Sequence, residues 1–155
     1  MKKVFSLSDL VKEVDKQRKG KKIVFTNGCF DLLHVGHIRY LQEARSLGDY
    51  LIVALNTDAS VKKLKGPDRP VQTQDDRAEI LAALDCISAV TFFDDPTPIH
   101  VIEKVLPDIL VKGGDWPVDK IVGADVVMKK GGVVKSLPFH PGRSTSGLIE
   151  KILKT

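Results

Sequence analysis

A chain of 155 residues with 43% hydrophobic and 28% charged side chains is long enough to bury a core of its own, and it reads as one globular domain over 1–155. No apolar run approaches bilayer-spanning length and the N-terminus lacks a signal-peptide pattern, so no membrane partner is expected. The net charge of +4 suits a small anionic substrate better than nucleic acid, which calls for a denser basic face with more aromatics.

An amphipathic helix is predicted over 8–19, with Leu10, Val11 and Val14 on one side and Gly20 as its stop. It makes 1–21 an N-terminal helical segment ahead of the first strand, at 22–25. A helix at 38–47 follows, closed by Gly48. The continuous apolar run 51–55 is a second strand, of the kind covered on both faces. A polar loop over 56–74 leads into a helix at 76–84 and a third strand at 89–93. Thr97 is expected to cap a helix that has Pro98 at its first position and runs to Val105. A fourth strand at 109–111, a weaker helix over 118–130 ending at Gly131-Gly132, and a fifth strand at 133–136 come next. Ser144 or Ser146 then caps a last helix at 147–153. Such alternation implies right-handed crossovers and an α/β, Rossmann-like, doubly wound, mainly parallel five-stranded sheet with helices on both faces.

In that architecture ligands bind beyond the carboxyl ends of the strands, and the polar clusters of the chain fall there. The first of them carries the most information: Thr26-Asn27-Gly28-Cys29-Phe30-Asp31-Leu32-Leu33-His34-Val35-Gly36-His37. A strand that turns through glycine into a helix start offers backbone N–H groups and a positive helix end to a phosphate. His34 and His37, three apart, share a helical face and can donate to phosphate oxygens, while Gly36 lets a ligand approach the backbone. Taken alone, the pair also fits a solvated helix face or a pair of metal ligands. Neither a Walker A nor a Gly-x-Gly-x-x-Gly pattern occurs. Cys29 lies inside this loop, where a backbone role is expected rather than nucleophilic chemistry. With Cys86 it makes no metal-like spacing, and two thiols without a signal fit a reducing cytoplasm.

Three further clusters are basic. Lys62, Lys63 and Lys65 precede Gly66-Pro67-Asp68-Arg69-Pro70. A lysine run of this sort is often a solvated loop, but the glycine and prolines suggest a shaped lid, with Lys65 and Arg69 as substrate-phosphate contacts. Lys112-Gly113-Gly114-Asp115 offers a cation, exposed backbone donors and a carboxylate, or a plain turn. Arg143-Ser144-Thr145-Ser146 opens the last helix, a start able to bind phosphate as well as to cap. No Ser/His/Asp triad and no structural metal site is assignable from spacing.

Phe30-Asp31-Leu32-Leu33-His34-Val35-Gly36-His37 is similar to the Phe-Asp-x-x-His-x-Gly-His signature of the nucleotidylyltransferase superfamily. Asn27 to Leu41, together with Lys65 to Val71, Asp76 to Leu81, Val111 to Asp115 and Arg143 to Ser146, resembles the bacterial heptose 1-phosphate adenylyltransferases, in order, over about 21–155. The related glycerol-, choline- and ethanolamine-phosphate cytidylyltransferases carry Arg-Thr-Glu-Gly before the final Ser-Thr pair. Here Pro141-Gly142-Arg143-Ser144 stands instead.

The resemblance implies transfer of AMP from ATP to D-glycero-β-D-manno-heptose 1-phosphate, giving ADP-heptose for lipopolysaccharide core. It implies His34 and His37 as transition-state phosphate ligands and Lys65 as guide to the acceptor, the three catalytic residues. Backbone donors around Cys29 and Phe30 would hold the α-phosphate and Ser144, Thr145 and Ser146 the β- and γ-phosphates, with Asn27, Gly28 and Gly36 in the same nucleotide-binding set. Lys112, Gly113, Asp115 and Arg143 complete the nucleotide side, while Asp31, Lys65 and Arg69 form the acceptor side. Mg²⁺ would be held mainly by the triphosphate and not by a protein metal site. No nucleic acid is implied, and relatives of this kind commonly form homodimers. A cytidylyltransferase for a polyol or amino-alcohol phosphate, and a nucleotide sensor without turnover, are the competing readings.

Overall fold

The structure, a computed structural model, describes residues 2–138 and 142–155. Five strands make one sheet in the order β3-β2-β1-β4-β5: β1 (Ile23–Gly28), β2 (Tyr50–Asn56), β3 (Ala89–Phe93), β4 (Ile109–Gly113) and β5 (Val133–Leu137). Every neighbouring pair is parallel, as the alternating pattern predicts. The central strands are apolar along nearly their whole length because both faces are covered. Side chains alternate across a strand. Ile23 and Phe25 therefore face α1 (Leu7–Gln17), α5 (Ile99–Val105) and α6 (Ala124–Lys129), while Val24 faces α2 (Val35–Ser46) and α4 (Gln74–Ala82).

The chain leaves β1 toward β2 and β3, then crosses to the other side of β1 for β4 and β5. β1 pairs with β2 at six positions but with β4 at only two, Val24↔Ile109 and Phe25↔Leu110. The carboxyl ends of β1 and β4 thus part from one another at the point where the strand order reverses, which is where an open α/β sheet accommodates its ligand.

Several elements differ from expectation. The polar stretch 56–74 contains α3 (Asp58–Lys65). Thr57 caps it by accepting from the Ser60 N–H at 3.2 Å, Val61 anchors it in the interior, and Lys62, Lys63 and Lys65 complement the negative end of its dipole. The same lysines are what makes the segment look like a solvated loop. The helix expected over 118–130 is broken into a 3₁₀ turn at Val118–Lys120 and α6. Gly123 between them has φ +86°, and a Cβ there would stand 2.8 Å from Ile102. Thr97 makes no cap: α5 follows Pro98 with no side-chain cap bond. Of the two serines, Ser144 caps α7 (Thr145–Leu153), accepting from the Gly147 N–H at 2.9 Å. The N-terminal segment adds a bridge, Val4↔Val90, beside β3.

Candidate active site

β1 ends in Gly28, whose missing side chain is filled by the Phe30 ring. A Cβ there would lie 2.8 Å from Phe30 Cε2. Phe30 itself sits at φ +47°, a region few non-glycine residues enter, and this turn throws the chain back toward α2. The two histidines form the start of that helix, which begins three residues before the expected position. His34 is the N-cap: its Nδ1 accepts from the Gly36 N–H at 3.1 Å, and His37 Nδ1 accepts from the His34 N–H at 3.3 Å. The pair is a capping box in which imidazoles replace the usual serine and glutamate. The rings stack with centroids 3.8 Å apart, and the Phe30 ring lies 5.2 Å from that of His37.

This arrangement decides the protonation of both rings. With Nδ1 an acceptor, the one proton of each neutral imidazole is on Nε2, which leaves two N–H donors on the sides of the rings away from the cap. Burial, with the adjacent His34 and Lys65, pushes His37 down to about 4. Burial and the Arg143 charge lower His34 as well. Near pH 7 both are neutral donors. A Cβ on Gly36 would meet the His34 ring at 2.9 Å and Arg143 Cβ at 3.1 Å, so glycine permits the stacked pair.

The start of α7 is tied to the same loop: Thr145 Oγ1 donates to the Leu32 carbonyl at 2.9 Å, 113 residues away in the chain. Two helix N-termini, each carrying unpaired backbone donors and a partial positive charge, therefore open on one cavity of about 650 Å³. Asn27, Gly28, Cys29, Phe30, His34, Gly36 and His37 line one wall of it, and Arg143, Ser144, Thr145 and Ser146 another. Lys112 and Gly113 come from the end of β4, and Lys65 and Arg69 from the end of α3 and the loop after it. Asp115 does not line the cavity and is exposed. Among the described residues no carboxylate pairs with Lys65 or Lys112. The cavity is electropositive.

Asp31 also reaches the cavity wall, but it is 1% exposed and its carboxylate is already engaged. It accepts from Arg69 Nε at 2.8 Å, from the Val71 N–H at 2.8 Å and from the Gln72 N–H at 2.9 Å. Burial alone would raise this carboxyl; the Gln72, Val71 and Arg69 donors outweigh it and hold the group below its usual range. Asp31 thus fastens the basic loop to the turn after β1 and fixes the guanidinium of Arg69. Burial pushes the Cys29 thiol up against the nearby Lys65, Arg77 and Arg69, so it remains a thiol, donating to Asn56 Oδ1 at 3.6 Å.

Two site residues escaped the sequence reading. Arg77 of α4 is 1% exposed. It donates to the carbonyls of Cys29 (2.8 Å), Asn56 (2.9 Å) and Gln72 (3.2 Å) and to Asp58 (2.9 Å). One guanidinium thereby joins the ends of β1 and β2, the start of α3 and the Asp31-bound loop. The available signal was a charge on the same helical stripe as Ala78 and Leu81. Tyr40 lies one turn beyond His37, lines the cavity and shares a 2.6 Å hydrogen bond with Thr26 Oγ1. Burial raises its pKa to about 12.

Among the described residues no group of three His, Cys, Asp or Glu side chains could hold a metal ion, and Asp31 has no carboxylate oxygen to spare. Nor is any helix among them long and apolar enough to cross a membrane.

The chain is 61% identical over 137 residues to the bifunctional protein HldE of Citrifermentans bemidjiense, a match covering 88% of this chain and 28% of that protein. With HldE of Geobacter sulfurreducens the identity is 57% over 90% of this chain and 28% of the relative. With that of Syntrophotalea carbinolica it is 55% over 96% and 30%. The chain therefore spans less than a third of the length of these curated relatives. Among solved structures it is similar to a lipopolysaccharide core biosynthesis protein from Thermoplasma volcanium GSS1, at TM-score 0.62 and 29% identity over 78% of this chain and 98% of the other. A pantoate-beta-alanine ligase from Francisella tularensis, at TM-score 0.59 and 15% identity over 95% and 70%, shares the fold. The sequence pattern of one family matches residues 25–146. That stretch runs from within β1 to the first residues of α7 and contains every segment that builds the cavity, and by it the chain belongs to the cytidylyltransferase-like family.

Proposed function

We propose that this domain transfers the AMP group of ATP to D-glycero-β-D-manno-heptose 1-phosphate, producing ADP-heptose and pyrophosphate for lipopolysaccharide core synthesis. The observation that carries the reading is the pair of Nε2–H donors on stacked, neutral His34 and His37, set at a helix N-terminus that shares its cavity with a second one. Nucleotidyl transfer asks for positioning and for fixed donors where negative charge accumulates, with little covalent participation by the protein.

The triphosphate lies along the two helix starts, its α-phosphate against Gly28 to Phe30 and the histidines, its β- and γ-phosphates at Ser144 to Ser146 with Arg143. Lys112 and Gly113 border the nucleoside, with Asp115 on the outer part of that loop. The acceptor phosphate is received by Lys65 and by Arg69, whose guanidinium Asp31 holds in place. An oxygen of that phosphate attacks the α-phosphorus in line. The bond from that phosphorus to the bridging oxygen breaks, and pyrophosphate departs with the electron pair. No general base is needed, since the attacking oxygen is already ionised near neutral pH. Two neutral N–H donors suit this step, because they stabilise the growing charge without first being neutralised by the ground-state phosphate. Any Mg²⁺ enters with the triphosphate as part of the substrate. We read the domain as cytoplasmic, as a single unit over 1–155 able to form homodimers, and as having no nucleic-acid partner.

The family's description, cytidylyltransferase-like, favours cytidylyl transfer as the one alternative, for which we take glycerol phosphate or an amino-alcohol phosphate as acceptor. Pyrophosphate release across the four nucleoside triphosphates, each offered with heptose 1-phosphate, glycerol 3-phosphate or phosphocholine, separates the two. The adenylyltransferase reading expects turnover with ATP and the heptose phosphate; a clear preference for CTP with either other acceptor overturns it.

A further inference from the structure

We propose that Trp116 is the platform on which the base of the nucleotide stacks, a further nucleotide-binding residue of this site; the proposal rests on the nucleotidyl-transfer reading above. The chain has one tryptophan. It lies on the loop after β4, three residues beyond Gly113, the last residue of that strand, and it is 50% exposed. A half-exposed indole on a mobile loop would mean little, but this loop is fastened. The Trp116 N–H donates to Ser136 Oγ at 3.1 Å, the Gly114 N–H donates to the Leu137 carbonyl at 2.8 Å, and Ser136 Oγ bonds the Gly114 carbonyl. Three bonds to β5 thus fix the backbone that carries the ring.

Lys112 Nζ stands 5.7 Å from the indole centroid, and Lys112 lines the cavity. Trp116 is not itself among the residues that line the cavity; the Lys112 side chain links its ring to the cavity wall. The triphosphate subsites at α2 and α7 occupy one side of the crevice between β1 and β4. The far side is the β4 loop, so a nucleotide laid along the helix starts directs its base there or toward Lys65 and Arg69. The second direction offers cations and no aromatic face. The other aromatics of the cavity are committed. Phe30 is 8% exposed, packed on Gly28 and near His37, and Tyr40 is partly buried against the core with its hydroxyl on Thr26. Among the described residues Trp116 alone joins an exposed aromatic face to a backbone already ordered. Every base has a π-face, and stacking on tryptophan costs little when the platform is preformed.

A single tryptophan also makes the test direct. The intrinsic fluorescence of the full chain is followed as ATP is added, and separately as inorganic tripolyphosphate is added. We expect ATP to change the emission and tripolyphosphate to leave it unaltered while competing with ATP. In kinetic assays Trp116→Ala is expected to raise the KM for ATP about tenfold or more with kcat within about twofold. Inhibition by tripolyphosphate should be unchanged, and Trp116→Tyr should restore most of the loss. An unchanged KM for ATP in Trp116→Ala overturns the proposal. So does equal weakening of ATP and tripolyphosphate, which would mark the indole as a brace for the loop. A loss of self-association in sedimentation with ATP use intact would assign the ring to a protein contact, with Val118 and Val122 beside it in the chain. Turnover with ATP but no fluorescence response removes the stacking role alone, whereas absence of ATP binding by calorimetry removes the nucleotidyl-transfer reading as well.

Discussion

In the proposed reaction His34 and His37 each perform two tasks with different atoms, since Nδ1 closes the first turn of α2 and Nε2 is left for the phosphate. These tasks can be separated by substitution. Asparagine is among the best N-cap residues, so His34→Asn retains an acceptor for the Gly36 N–H while removing the Nε2 donor. Both His34→Asn and His34→Ala are expected to lose about a hundredfold or more in kcat. Only the alanine variant should also lose about 1 kcal/mol of stability, read from chemical denaturation. An asparagine variant with near-native turnover would show that the capping atom, and not the donor, is what matters.

The same duality sets a pH dependence. His37 has a folded pKa of about 4 against an ordinary 6.5, so between these values the unfolded chain binds the extra proton. Stability must therefore rise with pH through this window, be complete above about 6.5, and be lost as pH falls toward 4. Protonating Nδ1 ends its bond to the His34 N–H, so the start of α2 should loosen over the same range. Denaturant midpoints measured from pH 4 to pH 7 should show this slope, and His37→Gln should reduce it to the part contributed by His34, which burial and the Arg143 charge also lower. The Asp31 carboxyl, held below its usual range, acts at lower pH and does not confuse the reading.

At the scale of elements, α3 shows how a polar segment earns a fold. Its interior anchor is slight, Val61 with Ser60, and its stability comes from Thr57 at one end and three lysines at the other. Lys65 ends in the cavity because it is the last residue of that helix. Lys65→Ala is expected to raise the KM for the sugar phosphate severalfold while ATP affinity, by calorimetry, changes little. Equal loss for both ligands would mean that α3 closes over the triphosphate. Arg77 holds this element to the rest of the site. Its removal would leave the Cys29 and Asn56 carbonyls without their buried donor, and Arg77→Ala should cost about 3 kcal/mol or more, measured as a shift in urea midpoint.

Much of this was legible in the sequence and the remainder has physical reasons. Strong periodicity located the strands 89–93 and 109–111 and the order of elements, and the glycine-turn-histidine run located one wall of the cavity. All of the residues assigned from sequence line one cavity except Asp115. What composition could not reveal were matters of partnership. An aspartate in a binding motif reads as a ligand until its three N–H donors are seen, and a lysine-rich stretch reads as loop until its cap and its buried valine are placed. An arginine in a helix reads as surface until its three carbonyl partners and the Asp58 carboxylate are found.

For the molecule as a whole, the two-position pairing of β1 with β4 has a mechanical meaning. The sheet consists of two well-knit panels, β3-β2-β1 and β4-β5, stitched along a short seam whose upper half is left open. Opening there forfeits fewer ladder hydrogen bonds than anywhere else in the sheet. A nucleotide with its phosphates on the β1 side and its nucleoside on the β4 side would act as the missing rungs, adding binding energy to the seam by mass action. Hydrogen exchange should therefore slow on ATP addition most strongly at Asn27, Gly28, Lys112 and Gly113, with little change along the β2–β3 ladder, and the substrate itself would complete the sheet.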